Sequence, residues 1–341
     1  MPVIESDYRP PWHLRHGHAQ TILPALFRRV RGIEYHRERL ELPDGDFLDL
    51  DWSAARHSRV VVLAHGLEGS SSAHYVTGMA RAFNRAGWDV VAMNFRGCSG
   101  EPNRLARSYH AGASEDVRMA LEHAMRRGYE RAGLVGFSLG GNMILKLLGE
   151  YGEHAPAWLI GGVGISVPCH LESACDAMAG PINRPYMIRF LRCLREKLRS
   201  KQRRFPKEMD DTGYAALRTF RDFDNRYTAP WNGFRDAVDY WSRCSALGFL
   251  PALRRPALLL NAKDDPFLSP QCFPLELAEQ SEWLHLETPA HGGHVGFMAN
   301  GGYFSEQRAV CFLETGGKKQ WSERQDSNLR RLAPKASALP G

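Results

Sequence analysis

Apolar runs that do not alternate with polar residues do most to limit what this chain can become. They lie at 60–64, 88–93, 132–137, 158–166, 257–261 and 283–286. A strand with one wet face alternates, whereas a strand covered on both faces reads as an unbroken apolar run. Helical stretches near 73–86, 113–127, 271–278 and 302–314 follow or separate these runs. The β-α rhythm predicts an α/β fold, with a mostly parallel central sheet flanked by helices. Upstream, 33–42 and 46–52 alternate around Pro43-Asp44-Gly45 and read as an antiparallel pair. The rhythm breaks between 168 and 250, where the sequence reads helical. A helical insertion between two late strands of such a sheet sits where a cap would cover a substrate. The predicted division is a core of 1–167 and 251–316, a cap of 168–250, and a disordered basic tail of 317–341 that lacks apolar periodicity.

That tail disposes of the simplest reading of the charge. The 341 residues carry a net +6, and Lys318, Lys319, Arg324, Arg330, Arg331 and Lys335 against Glu323 and Asp326 put +4 of it in the tail. The rest is nearly neutral and shows no nucleic-acid-binding signature, so no nucleic-acid partner is expected. No apolar run is long enough to span a bilayer, and the first residues lack the basic start and apolar core of a signal peptide. Seven cysteines with no C-x-x-C pair suit reduced thiols, which places the expected location in the cytoplasm.

The chemistry concentrates at Gly136-Phe137-Ser138-Leu139-Gly140, a G-x-S-x-G sequence with a strand before it and a helix after it. Such a turn presents a serine hydroxyl at a helix N-terminus, with glycines where side chains would collide. Serine needs a base. The loop after the last strand holds His291 and His294; His294 is the favoured base and His291 a loop contact. Their H-x-x-H spacing has no third ligand, so no metal is expected. The imidazole needs a carboxylate, and Asp265, just before Pro266, is favoured over Asp264, whose other role is to cap the turn. An oxyanion hole needs two backbone N–H groups: Leu139, after the serine, and Leu67, in the loop His65-Gly66-Leu67-Glu68-Gly69. His65 is expected to brace that loop. No cofactor is required.

Taken with Asn94-Phe95-Arg96-Gly97-Cys98-Ser99-Gly100-Glu101-Pro102-Asn103, the continuation Gly141-Asn142 of the serine motif, Lys263-Asp264-Asp265-Pro266-Phe267, His291-Gly292-Gly293-His294-Val295-Gly296-Phe297 and the opening Gly17-His18-Ala19-Gln20-Thr21-Ile22-Leu23-Pro24, these motifs resemble the YheT-like bacterial α/β-hydrolases, of the medium-chain ester synthase/esterase branch. The resemblance spans roughly 10–315. It implies an α/β-hydrolase fold and hydrolysis of carboxylic esters of short- to medium-chain acyl groups, with Ser138, Asp265 and His294 as the triad. The same residues would serve acyl transfer or thioester cleavage, and a non-catalytic binding protein on the same fold is the reading from another class. The expected partner is a small-molecule acyl ester. Arg96 reads either as holding loops at a cleft wall or as part of a plain glycine turn. The stretch 185–204, with Ile188, Leu191, Leu194 and Leu198 at helical spacing, reads as a cap helix with a solvated basic face; peripheral lipid contact through the cap is the second reading.

Overall fold

Covered on both faces, the apolar runs form the middle of one sheet. A computed structural model describes residues 3–317; the tail expected at 317–341 lies outside the described residues from position 318 on. The strands are β1 (Val3–Ile4), β2 (His36–Glu41), β3 (Phe47–Ser53), β4 (Arg59–Ala64), β5 (Asp89–Asn94), β6 (Arg131–Phe137), β7 (Leu159–Ile165), β8 (Ala257–Leu260) and β9 (Leu284–Glu287). Their hydrogen-bonded order is β1-β9-β8-β7-β6-β4-β5-β3-β2. Pairing is parallel from β1 across to β5, while β3 runs antiparallel to both β5 and β2. A short hairpin of β10 (Met298–Ala299) and β11 (Gly302–Tyr303) stands apart.

The helices are α1 (Gly17–Phe27), α2 (His74–Arg85), α3 (Ser114–Met125), α4 (Leu139–Tyr151), α5 (Leu171–Met178), α6 (Arg184–Gln202), α7 (Phe220–Phe223), α8 (Ala229–Trp231), α9 (Ala237–Cys244), α10 (Leu275–Gln280) and α11 (Phe304–Thr315). They cover both faces. Val60, Val62 and Ala64 of β4 join a core with Val117 and Leu121 of α3 and Ile144 and Leu148 of α4. Val61 and Leu63 join the opposite core, with Met79 and Phe83 of α2 and Phe312 of α11. Successive side chains of a strand point to opposite faces, so a strand feeding two cores must be apolar throughout. Each fully buried Val or Leu is worth about 2 kcal/mol.

Helices α5 to α9 lie between β7 and β8, with a π-helical turn, Asp224–Thr228, joining α7 to α8. This segment has a core of its own, in which Met187, Leu191, Leu194 and Leu198 of α6 pack with Tyr214, Phe223 and Phe267. The buried stripe therefore starts at Met187, and Ile188 is 51% exposed. The spacing 187, 191, 194, 198 follows the 3.6-residue period more closely than one begun at 188. The helix expected near 271–278 begins only at Leu275, because Pro274 restricts the residue before it and donates no N–H. The final helix starts at Phe304, its expected first turn being taken by the β10–β11 hairpin around Gly301. No helix among the described residues is long and apolar enough to cross a membrane.

Candidate active site

Strand order puts the catalytic candidates within reach of one another. Strands β4 and β6 are neighbours, with Ala64 paired to Gly136, so the loops leaving their carboxyl ends emerge side by side. At the end of β6, Ser138 sits at φ 52° and ψ −119°, outside the regions a serine ordinarily adopts. The elbow survives because its flanks carry no β-carbon. One on Gly136 would lie 2.4 Å from Gly140 O, and one on Gly140 would lie 2.3 Å from His65 O. The Ser138 N–H donates to Ile165 O at 2.8 Å, which fixes the turn against β7. Asn142, one turn into α4, ties the elbow to the cap: its Nδ2 donates to Ala111 O and Cys244 O, and its Oδ1 accepts from the Ala246 N–H.

The loop after β4 lies against the serine, since a β-carbon on Gly66 would be 3.3 Å from Ser138 Cβ. Its hydrogen bonds are almost all committed. The Gly66 N–H donates to Tyr75 Oη, the Glu68 N–H to Tyr109 Oη, and the Gly69 N–H to Gly66 O. The Leu67 N–H has no acceptor among the described residues. Leu139 opens α4, where an N–H has no intrahelical acceptor. His65 is fully buried. Its Nδ1 donates to Gly66 O at 2.7 Å and its Nε2 accepts from the Phe95 N–H at 3.1 Å. Burial pushes its pKa down to about 3, which keeps the ring neutral and suits the bracing role expected of it.

The base and acid candidates meet at the ends of β8 and β9. Asp265 is buried, and its Oδ2 and Oδ1 lie 2.9 and 3.1 Å from His294 Nδ1. The Phe267 N–H donates to Asp265 Oδ1, and the Phe267 ring packs on the imidazole with centroids 4.3 Å apart. Asp264 accepts from the Gly293 N–H and faces His291 Nδ1 at 3.3 Å, so it ties down the histidine loop. The two histidines thus face separate carboxylates. Arg96 holds Asp116 with two nitrogens and reaches Asp44 and Asp46. It joins the β2–β3 turn to α3 and belongs to neither wall of the serine's cavities.

Several supporting residues escape a reading by motif. Thr21 of α1 accepts from the His294 N–H at 2.9 Å, and its own hydroxyl donates to Gly17 O. Gln20 accepts from the Met298 N–H, and Ser166 from the Val295 N–H. Helix α1 is therefore a clamp on the histidine loop. Glu68 is gripped from the cap by Lys197, whose Nζ lies 2.8 Å from its Oε1, and from the core by Tyr109, whose Oη donates to the same oxygen at 2.6 Å. Lys197 also donates to Cys98 Sγ. Burial lowers the Lys197 pKa, but Cys98 and Glu68 outweigh it and leave the pKa above its ordinary value. The same burial pushes the Cys98 thiol up to about 11. In the sequence the clamp shows as the 17–24 and 291–297 motifs, whose glycines at 17, 293 and 296 allow the close approach; a β-carbon on Gly17 would fall 1.9 Å from Asp264 O.

Two cavities meet at Ser138, and His294, Leu67, Glu68, Phe190 and Phe267 line both. The inner chamber, about 140 Å³, is almost wholly apolar and runs under the cap past Leu139, Leu171, Leu194 and Phe223. The outer groove, about 700 Å³, opens between α1 and α6 and carries Ser70, His74, Arg28, Arg29 and Arg189.

A parallel sheet with an antiparallel edge, a strained serine elbow after β6, an acid–histidine pair after β8 and β9 and helices on both faces together define an α/β-hydrolase, and the chain belongs to the alpha/beta hydrolase fold family, whose model matches residues 59–300. Within it the chain is 40% identical over 302 residues to the protein named "Putative esterase YheT" of Escherichia coli (strain K12), covering 86% of this chain and 87% of that one. It is 28% identical over 309 residues to the protein named "Phospholipase ABHD3" of Mus musculus, covering 87% and 74%. The fold is similar to the solved structure of the Pyrococcus furiosus esterase Pf2001, with a TM-score of 0.55 at 16% identity, over 84% of this chain and 98% of that one.

Proposed function

We propose that this protein is a serine hydrolase that cleaves carboxylic esters of short- to medium-chain acids through an acyl-enzyme. Ser138 Oγ attacks the ester carbonyl as His294 Nε2 takes its proton. The Leu67 and Leu139 N–H groups hold the oxyanion of the tetrahedral intermediate. On collapse, the His294 proton passes to the leaving alcohol oxygen. Water then gives its proton to His294, attacks the acyl carbon, and releases the acid and Ser138. The observation that carries this reading is the Asp265–His294 pair, whose imidazole lines the same cavity as Ser138. An acceptor at Nδ1 fixes the proton there and leaves Nε2 free to act as the base.

The two cavities supply the division of the substrate. In the inner chamber, at about 140 Å³, the acyl chain finds a space close to the ~150 Å³ cavity that holds a benzene ring, so about six carbons fit. The larger, more polar groove takes the alcohol. Relatives named esterase and phospholipase support acyl-ester cleavage and a sizeable leaving alcohol. The same groove could seat an acceptor alcohol, which keeps acyl transfer as the second reading.

A fluorophosphonate probe should label Ser138, and Ser138→Ala should lose labelling and about 10⁶-fold in kcat. Across p-nitrophenyl esters from acetate to palmitate, kcat/KM should peak near hexanoate and octanoate and fall at palmitate. An unlabelled protein, or full turnover by Ser138→Ala, overturns the reading.

A further inference from the structure

The rim of the outer groove carries a feature that the proposed ester cleavage does not account for. Among the described residues, eight large apolar side chains are exposed, and six of them are Trp12, Ile22, Leu26, Phe27, Ile182 and Ile188. They fall in only two stretches, at α1 with its approach and at the start of α6. Single exposed apolar residues are ordinary on any surface, but a cluster is not. The two stretches adjoin: the His18 ring stacks on Tyr186 with centroids 5.7 Å apart, and Nδ1 meets its hydroxyl at 2.9 Å. Ile22 and Leu26 form one wall of the groove and Tyr186 and Arg189 the other, with Ser138 between them. Ile188 lies in the adjoining hollow that shares Arg189.

The same two stretches are free of carboxylates. Residues 8–33 hold Arg9, Arg15, Arg28, Arg29 and Arg31 without one Asp or Glu, and residues 177–195 hold Arg184, Arg189, Arg192 and Arg195 without one. Arg28 pairs with Glu306 and Arg195 with Asp211. Arg184, Arg189 and Arg192 have no acidic partner among the described residues and stand beside exposed Ile182 and Ile188. On the same helix, Lys197 and Lys201 turn inward to Glu68 and Asn103. So the basic residues of α6 divide: the later ones hold the cap together, and the first ones face outward with the apolar rim.

We propose that this rim docks on an anionic lipid surface, with the mouth of the groove turned toward it. Apolar side chains that enter the headgroup boundary, ringed by arginines that meet lipid phosphates, are what such a surface selects. A nucleic acid would use the arginines and leave Phe27, Ile182 and Ile188 in water. A second copy of the chain, docked face to face, would oppose arginine to arginine. The inference goes beyond ester cleavage and does not depend on it.

The test is co-sedimentation of the full chain with vesicles of equimolar phosphatidylglycerol and phosphatidylcholine, against phosphatidylcholine alone. We expect binding to the anionic vesicles, weakened about tenfold or more by high salt or by removal of the anionic lipid. Phe27→Ser with Ile188→Ser, and separately Arg184→Glu with Arg192→Glu, should each lower partitioning about tenfold or more. Hydrolysis of a soluble butyrate ester should be unchanged in both, which shows that they fold. Ser138→Ala should bind as the wild type does, so loss of chemistry and loss of docking are read separately. The proposal is overturned if the chain ignores anionic vesicles, or if both double variants bind them as the wild type does, since binding then resides elsewhere, for instance in the basic tail. It is equally overturned if the rim substitutions abolish a dimer or retention on single-stranded RNA while vesicles are never bound.

Discussion

Gly140 lies where α4 presses its first turn onto the end of β4, and its missing side chain is what lets Ser138 stand out. Gly140→Ala forces a β-carbon against the carbonyls of His65 and Ala64. The backbone cannot yield there without opening the elbow. We expect a loss of about 1–3 kcal/mol, seen as a lower urea midpoint, together with slower fluorophosphonate labelling. At this scale the sequence is readable where chemistry limits the choice of residue. The roles proposed for Ser138, His294 and Asp265 admit few side chains, and all three stand in motifs. Tyr75 and Tyr109 do not, and the motif that holds Thr21 does not reveal its role, because each supplies a single hydroxyl to one backbone N–H, which many polar residues could do. The adjacent Asp264 and Asp265 look alike in the sequence. Only the fold shows that one meets His291 and the Gly293 N–H while the other meets His294.

Helix α6 connects the cap to the chemistry. Its Lys197 reaches across to Glu68, the residue after Leu67, and both side chains are largely buried. Removing one partner leaves the other charge stranded. Lys197→Met should cost about 3–5 kcal/mol, and Lys197→Met combined with Glu68→Gln should cost much less than the two single losses added. A double-mutant cycle in urea measures this. Because Glu68 is held at φ 54°, its release frees the backbone at Leu67, and kcat should fall more than KM rises. The helix itself was legible from its apolar spacing, but its facing was not. The period favours a stripe through Met187 over one through Ile188 only slightly, and the neighbours that decide lie far off in sequence, at Tyr214, Phe223 and Phe267.

Across the whole molecule, burial holds four histidines neutral. His65 and His110 are pushed down to about 3, and His74 and His285 to about 4. Unfolding returns each toward its ordinary 6.5, so the unfolded chain takes up protons the folded one refuses. The stability these rings support is complete above about pH 6.5 and drains away as pH falls toward 4. The almost wholly buried His65 and His110 each contribute a slope of about 1.4 kcal/mol per pH unit near pH 5, and the partly exposed His74 and His285 contribute less. Asp224, raised by burial to about 6, and Glu287 and Glu306, also raised by burial, work in the opposite sense, losing stability as pH rises, and offset part of the slope. Urea midpoints measured from pH 7 down to 5 should fall steadily, and His110→Asn should flatten the decline. The sheet was legible at this scale because its central strands feed two cores. The edge strand β1 was not, since two residues carry no period and their partner, β9, is made more than 280 residues later.

The clamp of α1 on the histidine loop sets an order of events during synthesis. Its half at 17–21 leaves the ribosome early, and the serine follows at 138, but the imidazole waits until 294. A growing chain therefore carries Ser138 for more than 150 residues of translation before the histidine proposed as its base is made. On the proposed mechanism the site is complete only once β8 and β9 have joined the sheet and the last loop has met the helix made at the start.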